Sequence, residues 1–328
     1  MLRVLVVGYG SVGKRYVENL LKYSNIQVMI CTKRKDLNSE IIKKCEIFDS
    51  LDEGINGKPE IAFITNVTSI HTDTAINIAK SKINVFIEKP LSNSMDKIDE
   101  LVEIINEGKI QAMVGCNFRF HNCLKSIKKL LVEGKLGKIL SAKVECGSYL
   151  PDWHPNEDYR ESYASHKKLG GGVVLTCIHE IDYLQWFFGK VKEIFSFSEK
   201  VSDLEVDVED LSSSLLKFEN NVIAELHLDY FQKPEFRSCK IIGTKGVIYW
   251  DSDVNVVKRF DYDKNKWIEE FKMENYSRND MFTKELEYFL ECVKTNTSNM
   301  NNISMAAETL KTALGIIESS NTKKVVEI

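Results

Sequence analysis

Between residues 2 and 116, short apolar runs alternate with stretches whose apolar positions recur every three or four residues. The runs are LRVLVVG, IQVMICT, IAFITN, INVFIEKP and QAMVGCNF. Residues 11–23 carry Val12, Tyr16, Leu20 and Leu21 at helical spacing, and residues 72–81 and 95–107 read as further helices, with a short one before IAFITN. Uninterrupted apolar strands separated by helices predict a doubly wound parallel sheet of Rossmann type, an α/β arrangement. After Arg119 the rhythm changes. A helix over 122–133 stops at Gly134. VIAELHLDYF then alternates apolar Val222, Ala224, Leu226, Leu228 and Tyr230 with Glu225, His227 and Asp229. Such a strand buries one face only. SSSLLKFE and CKIIGTKGVIYWD, with Gly243 and Gly246 at a turn, add strands, and helices over 281–294 and 306–319 flank the polar stretch 295–302. The second part is an α+β domain with an open, mostly antiparallel sheet. The expected division is a dinucleotide-binding domain over 1–120 and a substrate-binding and oligomerisation domain over 121–328.

Composition narrows the function. A chain of 328 residues is long for one core. A net charge of −4 with no basic tail speaks against a nucleic-acid partner. Eight scattered cysteines with no C-x-x-C pair argue against a metal site or a disulfide framework and suit reduced cytosolic thiols. No apolar stretch approaches the ~20 residues of a membrane span, and the chain enters a strand at once, leaving no room for a signal peptide. A cytoplasmic protein with no membrane partner is the expectation.

The first strand runs into VVGYGSVGKRY, which sets Gly8, Gly10 and Gly13 in G-x-G-x-x-G spacing. Glycine triplets are common in loops, but here the triplet leaves a strand and opens a helix, as dinucleotide binding requires. Gly8 permits the turn, Gly10 lets a pyrophosphate approach the backbone, and Gly13 lets helix pack on strand. The amides near Ser11 and Val12 would face the phosphate charge. The second strand ends not in the acidic residue suited to a ribose 2′-hydroxyl but in Thr32, Lys33 and Arg34. A hydroxyl followed by two cations suits a 2′-phosphate, favouring NADP(H) over NAD(H). Asp36 is the competing acidic group.

GYGSVG, FIEKPLS, GCNFRF and GGGVVLTCIHEID occur in this order along the chain. Together they resemble the Gfo/Idh/MocA family of NAD(P)-dependent sugar and cyclitol oxidoreductases, from Leu2 to about Tyr230. The resemblance implies hydride transfer between nicotinamide and a carbinol carbon of a sugar, sugar acid, cyclitol or nucleotide sugar. It makes Lys89 the lysine that contacts cofactor and reacting hydroxyl, and His179 the acid/base. Glu88 and Pro90 would hold the Lys89 turn, where the family often has a cis bond. Thr65, Asn66 and His71 would line the cofactor cleft, and Asn117 and Arg119 match residues at the domain junction. Many members carry an Asp one helical turn before the histidine; this chain has Leu175 and Thr176 there. A homodimer or homotetramer paired through the C-terminal sheet is the family expectation, which size-exclusion chromatography reads directly.

The residues themselves say why His179 matters. After three glycines, 170–189 reads as one helix with Thr176, His179, Asp182, Tyr183 and Trp186 along one side and Ile178, Ile181, Leu184 and Phe188 along the other. A purely structural helix needs no polar stripe, and an imidazole titrates near pH ~6.5. Asp182 could hold the ring's second nitrogen or cap backbone. The preceding loop, 148–169, brings Trp153, Tyr159, Arg160 and Tyr163, aromatic faces for a sugar ring and a guanidinium for an acidic group. The same residues could equally pack on one another. Two further readings are a lyase or glycosidase that retains its cofactor and oxidises transiently, and a non-catalytic NADP-dependent sensor.

Overall fold

The computed structural model describes residues 1–34, 37, 43–155 and 157–328. Two compact units emerge: Met1–Cys116 with Phe282–Ala307, and Asn117–Met281 with Glu308–Ile328. The segment Phe282–Ala307, read from sequence with the second part, thus belongs to the first unit.

In the first unit, β1 (Leu2–Val7), β2 (Ile26–Cys31), β3 (Glu46–Phe48), β4 (Ile61–Ile64), β5 (Asn84–Glu88) and β6 (Ala112–Gly115) form a parallel sheet in the order β3-β2-β1-β4-β5-β6. The connecting helices are α1 (Ser11–Leu20), α2 (Leu51–Asn56), α3 (His71–Lys80) and α4 (Ile98–Gly108). The order reverses at β1 and β4, and ligands of such sheets bind beyond the strand ends at that point. β4 and β6 are buried along their whole length, as strands covered on both faces must be. Helix α4 starts three residues later than its apolar spacing suggests, because Lys97 adopts the left-handed region at φ 58°. The core stacks Phe63 on Phe86 at 4.8 Å, with Tyr16 and Phe289 against both. Phe282, Leu286 and Phe289 bring the returning segment into this core. Asn299 and Asn301 donate to the carbonyls of Ala112 and Val114 at 2.8 Å, satisfying the edge of β6.

The second unit starts with a short 3₁₀ turn, Asn117–Phe120, and α5 (Asn122–Val132). Its sheet comprises β7 (Ile139–Gly147), β8 (Val191–Glu199), β9 (Leu211–Phe218), β10 (Ile223–Asp229), β11 (Phe236–Gly243), β12 (Gly246–Asp251), β13 (Val256–Asp261), β14 (Lys266–Lys272) and β15 (Val326–Glu327). The order is β14-β13-β12-β11-β7-β10-β9-β8-β15, and every neighbour pair is antiparallel except β7 with β10. Ala224, Leu226 and Leu228 are buried on one face, while Phe197, Leu215 and Ile223 stand exposed. No helix among the described residues is long and apolar enough to cross a membrane.

One expectation needs correction. The run after the glycines is two helices, α6 (Val173–Thr176) and α7 (Ile178–Phe188), broken at Cys177 with φ −92° and ψ 30°. The Thr176 hydroxyl donates back to the Gly172 carbonyl at 2.7 Å, a local bond that competes with helix continuation. Thr176 therefore does not extend the His179 stripe. Nor is α7 polar on one side and apolar on the other: nine of its eleven residues are buried, Glu180 and Asp182 among them.

Candidate cofactor and acid/base sites

The glycine loop leaves β1 and enters α1, and each glycine answers to a different constraint. Gly8 lies at φ 95°, and a Cβ on Gly13 would stand 2.2 Å from the Gly8 carbonyl oxygen. Gly10 differs. Its φ of −80° and ψ of −167° suit any residue, and a Cβ there would meet no described residue within 4 Å. Among the described residues, neither backbone nor packing explains glycine at position 10. The backbone amides of Ser11 and Val12 follow at the amino end of α1, which lacks a side-chain cap. Thr65 at the end of β4 fixes the loop, its hydroxyl lying 3.1 Å from the Val7 carbonyl and 2.9 Å from that of Gly8. These residues fit a dinucleotide pyrophosphate. Gly10→Ala should keep the melting temperature yet weaken nicotinamide-dinucleotide binding by about 1–3 kcal/mol, the usual cost of a methyl forced into a tight contact. Fluorescence titration and thermal melts check both halves; Gly13→Ala should instead destabilise the fold.

Beyond β2, Thr32 is buried, while Lys33 and Arg34 are exposed. The Thr32 hydroxyl accepts from the Arg34 amide at 3.2 Å, and the Arg34 guanidinium reaches the Tyr9 carbonyl at 3.4 Å. A hydroxyl and a guanidinium thus stand beside the glycine loop. Asp36 lies outside the described residues.

Lys89 follows β5 and joins Pro90 through a cis peptide bond. Behind it, burial pushes the Glu88 carboxyl up to about 7, although the Lys89 ammonium draws it down. Glu88 faces Tyr16, which is fully buried and donates to Glu285 at 2.9 Å. His71, at the start of α3, is buried with Nδ1 2.9 Å from the Pro90 carbonyl and Nε2 3.0 Å from the Asn66 carbonyl. The Asn66 amide donates to Thr74 at 2.9 Å. His71 and Asn66 therefore bind the protein's own turns.

In the second unit, Arg119 and Asp182 form a two-pronged ion pair, both bonds 2.8 Å and both groups buried. Arg119, expected at the cofactor, and Asp182, expected at the substrate or the imidazole, are joined to each other. His179 sits in the first turn of α7, buried, its ring 4.9 Å from that of Phe118. Phe118 carries the Arg237 guanidinium over its ring at 4.4 Å, and Arg237 in turn pairs with buried Glu180 at 2.5 Å. Asn117 keeps its Oδ1 buried, with no hydrogen bond to it among the described residues. Thr176 bonds Gly172 and meets the buried Tyr230 hydroxyl. Beside it, Glu209 accepts from the Val174 amide at 3.2 Å, and burial pushes its carboxyl up to about 7. Gly172, at φ 105°, makes room for that carboxylate: a Cβ would come within 2.3 Å of it.

The aromatic loop bonds largely within its own neighbourhood. Trp153 donates to Ser148 at 2.7 Å and packs edge-on to Tyr230. The Tyr159 hydroxyl accepts from the Glu205 amide, while Arg160 holds Asp158 at 2.7 Å and reaches Glu205 at 3.3 Å. Tyr163 is half-buried, its carbonyl set against Gly171. Leu150, Trp153, His154, Asp158, Tyr159 and Ser162 line a shallow pocket here. Sequence reading missed Phe118, Glu180, Glu209, Arg237 and Glu285. Phe118, inside GCNFRF, and Glu180, inside GGGVVLTCIHEID, lay within motifs; Glu209, Arg237 and Glu285 are charged residues at positions that carry no signal until their partners are known.

A model of the oxidoreductase family with an NAD-binding Rossmann fold matches residues 2–116, and a model of the GFO/IDH/MocA C-terminal domain matches residues 124–249. Among curated proteins, myo-inositol 2-dehydrogenase of Thermotoga maritima is 25% identical over 311 residues, covering 90% of this chain and 89% of the relative. The 2,7-anhydro-N-acetylneuraminate hydratase of Escherichia coli is 28% identical over 196 residues, 59% of this chain and 51% of that one. Among solved structures, levoglucosan dehydrogenase in complex with NADH aligns at a TM-score of 0.89 and 16% identity, covering 100% of this chain and 99% of that one. Both levels of similarity agree on the fold.

Proposed function

Because the chain belongs to the GFO/IDH/MocA family of oxidoreductases, we propose that it moves a hydride between nicotinamide and a carbinol carbon of a sugar, sugar acid, cyclitol or nucleotide sugar. The observation that carries this reading is Gly10, a glycine that neither its backbone angles nor any neighbour among the described residues requires. A bound nicotinamide dinucleotide supplies the hydride donor or acceptor. The chain's residues do the rest. The amides of Ser11 and Val12 hold the pyrophosphate, with Thr65 keeping the loop in place. Lys89 stabilises the alkoxide that develops on the substrate oxygen. An imidazole nitrogen of His179 takes the hydroxyl proton in oxidation and returns it in reduction. Ion pairing of Arg119 with Asp182 anchors the helix that carries His179. Trp153, Tyr159 and Tyr163 offer faces to a sugar ring.

Thr32, Lys33 and Arg34 favour NADP(H), since a guanidinium beside a hydroxyl matches a 2′-phosphate. The test is steady-state kinetics on a panel of aldoses, cyclitols, sugar acids and nucleotide sugars with each cofactor. The expected result is a higher kcat/KM with NADPH or NADP⁺, and a smaller gap in Arg34→Ala. A clear preference for NADH or NAD⁺ overturns the cofactor assignment. Similarity to a hydratase, together with Leu175 in place of the family's aspartate, favours one second reading: a cofactor retained through the cycle. Product formed with no net change in nicotinamide absorbance would select it.

A further inference from the structure

His71 is an unusual link because both of its ring nitrogens face acceptors. Nδ1 lies 2.9 Å from the Pro90 carbonyl and Nε2 3.0 Å from the Asn66 carbonyl, and the ring is buried. A carbonyl oxygen cannot donate. A neutral imidazole has one N–H, so its other nitrogen would set a lone pair against a carbonyl lone pair in a buried site. Only a ring with two protons makes both contacts attractive, and a neutral ring free to turn would leave one carbonyl.

The two carbonyls matter for where they are. One belongs to the proline joined to Lys89, the other to the residue after Thr65, which holds the glycine loop. We propose that His71 is a two-donor clamp, protonated on both ring nitrogens, that ties the Lys89–Pro90 turn to the end of β4 and so positions the Lys89 ammonium.

The opposing influences are identifiable. Burial is the largest influence and pushes the ring's pKa down, the carbonyls of Pro90 and Asn66 push it up and the Lys89 ammonium pushes it down, with a net direction below the ordinary imidazole value. Asp73, on the same helix, and Lys97 pair with each other at 2.8 Å. A hydrogen bond from a charged donor is about twice as strong as a neutral one, and this ring makes two in a site sheltered from water. The clamp stands on the geometry of the two contacts, whose strength must outweigh the burial that opposes it.

The consequence for Lys89 rests on the reading of Lys89 as the alkoxide-stabilising group; the protonation of the ring does not. Two measurements keep them apart. In protein labelled with ¹⁵N at histidine, long-range ¹⁵N–¹H spectra at pH 7 should show two protonated nitrogens for His71, assigned by their loss in His71→Asn or through bonds if that variant does not fold. One unprotonated nitrogen there overturns the clamp. His71→Asn, which can reach one carbonyl only, should lower kcat ~10–100-fold, with KM for the sugar nearly unchanged, as small misplacements of a reacting group do. An unchanged kcat in folded His71→Asn overturns the positioning role. Full turnover in Lys89→Ala would instead remove Lys89 from the chemistry, while the spectra would still decide the clamp.

Discussion

Lys89→Ala should lower kcat roughly 10²–10⁴-fold, the range for losing one positioned charge or proton-transfer group, with cofactor affinity nearly unchanged. Lys89 stands at the carboxyl end of β5, where ligands of a doubly wound sheet bind, and its side chain is half-buried. It takes no part in the glycine loop, so truncation leaves the phosphate contacts whole. His179→Ala should cause a loss of the same order. If both groups serve one proton and one charge, the double variant falls short of the product of the two losses, as residues acting as a unit do. Single-turnover and steady-state kinetics, with cofactor titration, read each quantity. Wild-type turnover in either single variant removes that residue from the mechanism.

Arg119→Ala should destabilise the second unit by about 3–5 kcal/mol, because it leaves the Asp182 carboxylate buried without its ion pair. The pair is 3% and 1% exposed, so water cannot replace the lost partner. Replacing both residues with apolar ones of similar size should recover much of the loss, since the protein then buries no lone charge. Urea denaturation of the single and double variants measures this. If Arg119→Ala instead kept full stability and lost cofactor affinity, Arg119 would be a cofactor contact whose pairing with Asp182 is incidental.

These two predictions differ in how far sequence alone could carry them. Lys89 and the glycine loop are legible because their constraints are local: a strand, a tight turn and a helix start within a few residues. Arg119 and Asp182 lie 63 positions apart, and neither announces its partner. Tyr16 and Glu285 are separated by 269 positions, so the acid that receives the buried phenol could not be named before the fold. The break at Cys177 was hidden for another reason. Spacing sees the helical period on both sides of it, whereas the interruption comes from the Thr176 hydroxyl returning to Gly172. The doubly wound sheet and the mostly antiparallel one were readable because strand burial writes directly into apolar pattern. The return of Phe282–Ala307 to the first unit was not, since an amphipathic helix does not state which core it covers.

That return bears on how the protein is made. The nucleotide-binding sheet has left the ribosome by residue 116, yet Phe282, Leu286 and Phe289 of its core are still untranslated. At ~5–20 residues per second, roughly ten to thirty seconds pass before they emerge. Throughout that interval the nascent Phe63 and Phe86 lack a neighbour, which makes the growing chain a client for chaperones, and a fragment ending near residue 120 a poor candidate for independent folding.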